Sequence, residues 1–109
     1  MSTISQLRPE ILNAALALSL EWGENFGKPI DARIRARYPQ LTADDAAALG
    51  QWCAEVKTFA FGVVEEEFPK IQAGGAGTAT TQISAKYPQL DDENLSWLNS
   101  QGMYYAWHG

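Results

Sequence analysis

Histidine and cysteine, the side chains best suited to base or nucleophile chemistry near neutral pH, occur once each, as His108 and Cys53. Cys53 falls on the apolar side of a helical run, where a thiol packs as a small inert group. His108 is the penultimate residue, a place where chains fray. The two together fall short of a four-ligand zinc site, and no Glu-x-x-His pair points to a di-iron bundle. Gly74, Gly75 and Gly77 lack the Gly-Lys-Ser/Thr ending of a phosphate loop, and no strand signal precedes them. The sequence therefore predicts no catalytic residue, no cofactor and no metal. The expectation is a protein that is not an enzyme.

Three groups remain that could bind a partner. Glu65, Glu66 and Glu67 lie in succession on a helical run, so they fan around it and cannot share one tight site. Glu67 borders the apolar stripe, while Glu65 and Glu66 point away from it. The C-terminal run from Met103 to His108 is unusually aromatic for a chain end. Tyr105 falls on the predicted core stripe, which leaves Tyr104, Trp107 and His108 as candidate contact residues, since Tyr and Trp are common interface anchors. The third group is Lys28, Arg33, Arg35 and Arg37, the one basic cluster. Guanidinium groups suit phosphate, so these four residues are the candidate site for nucleic acid.

Charge weighs between those readings. The net charge is −5. Residues 1–40 hold five basic and four acidic side chains, and residues 41–109 hold three basic and nine acidic ones. An acidic surface repels nucleic acid and anionic lipid and steers a basic partner inward. One cysteine excludes an internal disulfide and fits a reducing compartment. No apolar run approaches the roughly 20 residues that cross a bilayer. The nearest imitation of a signal sequence, residues 13–20, is flanked by Glu10 and Glu21 where a basic start is wanted. The expected location is the cytoplasm.

The elements that must position these residues are helical throughout, because alternating β-branched runs are absent. A helix over 8–25 would put Ile11, Ala15, Leu18 and Trp22 on one face, with Leu12 and Leu16 widening it; Gly23, Gly27 and then Lys28-Pro29 would end it. A short helix over about 31–37 starts at Asp31 and stops before Tyr38-Pro39, since the residue before proline is pushed out of the α region. Thr42 and Asp45 have the spacing of a capping box, with Leu41 and Ala46 as the staple. The helix that follows carries Leu49, Cys53, Val56, Ala60 and Val63 as its stripe, flanked by Trp52, Phe59 and Val64. Phe68-Pro69 should kink or end it. Residues 73–82 read as a flexible connector. A fourth helix over about 80–86 leads to a last one, capped by Asp91 and carrying Leu95, Leu98, Gly102 and Tyr105.

One phrase occurs twice. Ile34-Arg-Ala-Arg-Tyr-Pro-Gln-Leu41 returns as Ile83-Ser-Ala-Lys-Tyr-Pro-Gln-Leu90. The sequence thus predicts a single all-α domain over 1–109, a compact bundle of about five helices built from two similar halves near 8–55 and 57–108. The segment from Ala36 to Leu49 also resembles a helix connector of some small antitoxin-type helix-turn-helix proteins; it is a generic capped helix start and implies no membership of that family. The favoured function is a small acidic module that binds another, basic protein, of the immunity, antitoxin or inhibitor kind, and a homo-oligomer is compatible with it. The alternative is a small helical DNA-binding regulator using Arg33, Arg35 and Arg37.

Overall fold

The computed structural model describes residues 7–21, 28–74 and 78–108, with the backbone alone at Gln72. Among the described residues five helices run between the chain breakers: α1 Pro9–Ser19, α2 Asp31–Arg37, α3 Ala43–Gln72, α4 Ala79–Lys86 and α5 Asp92–His108. Among the described residues there is no strand, as the missing β pattern requires. The chain divides into two compact units, Met1–Glu55 and Val56–Gly109, with the boundary inside α3.

In the first unit α1 packs on α2. Pro9 opens α1, where its missing N–H costs nothing, and its carbonyl accepts from the Asn13 amide at 2.9 Å. Ile11, Leu12, Ala15, Leu16 and Leu20 are buried. Each large one contributes about 1.5–3 kcal/mol by leaving water. The predicted stripe is therefore turned: Leu12 and Leu16 are central, and Leu18 is only half-buried. The helix also ends at Ser19, short of the predicted 25. The Ser19 hydroxyl donates to the Leu16 carbonyl at 2.8 Å, and the Leu20 N–H is shared between Leu16 and Ala17. That shared bond tightens the last turn and closes the helix. Trp22, Gly23 and Gly27, given roles in the stripe and the stop, lie outside the described residues. In α2 the N-cap is Ile30 rather than Asp31, which occupies the first helical position.

Both Tyr-Pro pairs break their helices in the same way. Tyr38 lies at φ −129°, ψ 82°, and Tyr87 at φ −126°, ψ 73°. Their N–H groups donate to Ile34 and Ile83, and their carbonyls accept from Leu41 and Leu90. Ile34, Ile83, Leu41 and Leu90 are all buried. The same local chemistry, a proline after a tyrosine with an apolar residue on each side, gives the same chain reversal.

The capping box of α3 forms as written. The Thr42 N–H donates to the Asp45 carboxylate at 2.9 Å, and the Asp45 N–H donates to the Thr42 hydroxyl at 3.0 Å. The predicted stripe of α3 is buried along its length, from Leu49 through Val63. Pro69 does not end the helix, which continues to Gln72. Its missing N–H removes one bond, to the carbonyl four residues back, while its own carbonyl still accepts from the Ala73 N–H at 3.1 Å. Gly74 then takes φ +89°, the left-handed conformation of a glycine helix stop.

In the second unit α4 packs on α5, and Asp91 caps α5 by accepting the Asn94 N–H at 2.8 Å. Val63, Val64 and Ala79 form a core cluster, with Phe59 and Met103 against it. At Gly102, α5 comes close to α3. A Cβ there would stand 2.9 Å from the Val64 Cβ, nearer than real Cβ atoms approach. The predicted α5 stripe holds at Leu98 and Gly102, is half-buried at Leu95, and fails at Tyr105, which is 37% exposed. Asn94 and Gln101 are buried instead, two polar residues that an apolar pattern could not select.

Candidate functional site

The last turns of α3 and α5, both in the second unit, carry most of the residues singled out as a contact surface. On α3, Phe61, Glu65 and Phe68 follow at spacings of four and three, which places them on one side of the helix. On α5, Tyr104, Tyr105, Trp107 and His108 occupy the final turn and a half. The two rows meet ring to ring. Phe61 and Tyr105 lie 5.3 Å apart between centroids, and Phe68 meets Trp107 edge to face at 6.1 Å. Tyr104 adds contacts to Tyr105 at 5.6 Å and to His108 at 4.4 Å. These are the tilted and edge-on geometries that aromatic quadrupoles favour.

The cluster holds the end of α5 in place, so His108 is the last helical residue rather than a frayed one. It does not bury its rings. Tyr104 is 49% exposed and Trp107 67%, with Trp97 at 46% two to three turns earlier on α5. Burial raises the Tyr105 hydroxyl above its usual 10, and neighbouring Tyr104 adds to the effect, so the Tyr105 ring stays neutral through the physiological range. Between Phe61, Glu65, Gly102, Tyr105 and Ala106 there is a cavity of ≈ 170 Å³.

Of the three glutamates, Glu65 and Glu66 are exposed, Glu65 at the edge of that cavity, and Glu67 is not. Glu67 is buried, and its carboxylate holds the start of α4. One oxygen accepts the Thr78 N–H at 2.8 Å and also the Thr78 hydroxyl, with the Gln82 amide at 3.5 Å. The other faces the Lys70 ammonium at 3.1 Å. Thr78 is the N-cap of α4 but makes no cap hydrogen bond with its own side chain. The Glu67 carboxylate supplies the acceptor instead, at the end of the helix where negative charge is favoured. The hydroxyl and N–H of Thr78, and then Lys70, pull the Glu67 carboxyl down from 4.5 to about 2.

The basic cluster is largely turned to the chain itself. The Arg33 guanidinium donates to the carbonyls of Leu18, Lys28 and Pro29 at 3.3–3.4 Å and pairs with Glu21 at 3.4 Å. Arg35 donates through Nε to the Leu41 carbonyl at 3.3 Å. Arg37 lies 6.0 Å from the centre of the Tyr38 ring. Arg37 and Lys28 are exposed, yet two of the four cations brace the segment around α2. Sequence reasoning missed Phe61 and Phe68 as members of the aromatic surface. The spacing of Phe61, Glu65 and Phe68 was the available signal, hidden beside a stronger apolar stripe on the same helix.

Cys53 is buried in the first unit. Among the described residues no three His, Cys, Asp or Glu side chains come together as metal ligands would. No described helix is long and apolar enough to cross a membrane. Set against protein-family models, curated protein sequences and solved structures, the chain finds no match in any of the three.

Proposed function

We propose that the chain is a non-enzymatic protein-binding module of the cytoplasm, which neutralises or inhibits a basic partner through the aromatic surface of α3 and α5. The observation that carries the reading is the end of α5, where Tyr104 and Trp107 make ring contacts and are still exposed, next to a cavity edged by Glu65. Exposed aromatics held in place lose little side-chain entropy on binding, which is what interface anchors require. The adjacent carboxylate gives the surface its sign and favours a basic partner over an acidic one.

Affinity capture from the native host, run with the wild-type chain and with a Tyr104→Ser, Trp107→Ser variant, tests this. The expected result is a basic protein recovered by the wild type and lost, by tenfold or more in affinity, by the variant. Equal recovery by both, or recovery only of the chain itself as an oligomer, overturns it. The nucleic-acid alternative gains no support from Arg33, whose guanidinium is already bonded to three backbone carbonyls and to Glu21.

A further inference from the structure

We infer that the cavity between Phe61, Glu65 and Tyr105 is a subsite for a guanidinium group, the side chain of one arginine of the basic partner. The inference rests on the proposed function and names the contact that gives that surface its selectivity. Three features meet there. Phe61 and Tyr105 pack on each other at 5.3 Å and 58° and both line the cavity, so they give it an aromatic wall against which a planar cation can stack. Gly102 lines the cavity with backbone alone, since Val64 fills the place its side chain would take. Glu65 supplies a carboxylate at the rim.

Glu65 differs from its neighbour in the way that matters. The charge of Glu67 is met by Lys70 and by the Thr78 donors, whereas among the described residues no cation pairs with Glu65. An unneutralised carboxylate beside two aromatic faces favours a cation that can both stack and pair. A guanidinium does both, giving two parallel N–H donors to the carboxylate and a flat face to a ring. It is also more weakly hydrated than an ammonium, so entering a half-apolar cavity costs it less. The volume of ≈ 170 Å³ holds a side-chain head group and no larger ligand.

The test needs no partner. The full chain, isotope-labelled for NMR, is titrated with the capped tripeptide acetyl-Gly-Arg-Gly-amide and with its citrulline analogue, which keeps the shape and removes the charge. Saturable shifts at the Glu65, Gly102, Tyr105 and Ala106 amides are expected for arginine only. Glu65→Gln, at an exposed position that leaves the fold intact, should weaken the binding about fivefold. Tyr105→Leu should weaken it as well. Equal binding of citrulline, an unaffected Glu65→Gln variant, or no saturable shift overturns the subsite. A lysine tripeptide bound as tightly as arginine overturns the guanidinium assignment. The two readings separate cleanly. A partner lost on Trp107→Ser but indifferent to Glu65→Gln would sink the subsite and leave the protein-binding function standing. Tripeptide binding with no partner captured would do the reverse.

Discussion

Glu67 shows how far one residue's role depends on what folds against it. In the sequence it is the third of three glutamates, and position alone marks it as bordering an apolar stripe. In the structure it is the acceptor for the N-cap of a helix, eleven residues later. The partner, Thr78, lies beyond a glycine stretch, so no local pattern could reveal the pairing. Its carboxyl is held at about 2 in the folded chain, against an ordinary 4.5. A carboxylate depressed by folding stabilises the native state above its unfolded pKa, and that contribution is lost as the pH falls from about 4.5 to about 2. Thermal melts of the wild type and of Glu67→Gln should therefore differ most near neutrality and converge only as the pH reaches about 2. A gap that stays constant down to the lowest pH would show that the carboxylate's charge is not what holds α4.

At the scale of elements, the glycines separate cases that composition cannot. Gly62 lies in the interior of α3 with nothing within 4 Å of the position a Cβ would take. Gly62→Ala should stabilise the chain by about 0.5–1 kcal/mol, the ordinary difference in helix propensity. Gly102 lies inside α5 and would gain the same propensity, but its new Cβ would meet three Val64 atoms at 2.9–3.2 Å. Val64 is fully buried and β-branched, so its Cβ cannot turn aside and the helices must separate. Gly102→Ala should cost about 1–2 kcal/mol net, measured by urea unfolding, and Val64→Ala in the same chain should recover part of it. Stabilisation at Gly102 would mean that the two helices can yield. Helix starts and stops were the most legible part of the sequence, because caps and Tyr-Pro pairs act within four residues. Thr42 with Asp45, Asp91 and both Tyr-Pro breaks lie where their chemistry put them. The end of α1 was not legible, since the Ser19 hydroxyl and a shared Leu20 N–H closed it before any glycine did. Nor was the exposure of Tyr105, which follows the core period but meets Phe61 at the rim.

At the scale of the whole molecule, charge reads differently once the chain is divided as it folds. Split at residue 40, the acidity seems to belong to the C-terminal part. Split at the unit boundary, the first unit holds five basic and seven acidic side chains and the second three and six, so the net charges are −2 and −3. The acidity is spread over both units, so on the proposed function selectivity for a basic partner would come from local carboxylates such as Glu65. The total of −5 would act at a distance, by steering that partner toward the surface before contact. Those two contributions respond differently to salt. The Debye length shrinks from about 30 Å at 0.01 M to about 3 Å at 1 M, which removes the long-range field and leaves ring contacts in place. For the partner recovered by affinity capture, the association rate should fall at least about tenfold across that range, while the dissociation rate changes much less. Surface-immobilised binding kinetics read both rates directly. An association rate indifferent to salt, or a loss of affinity confined to dissociation, would mean that the acidic surface takes no part in bringing the partner in.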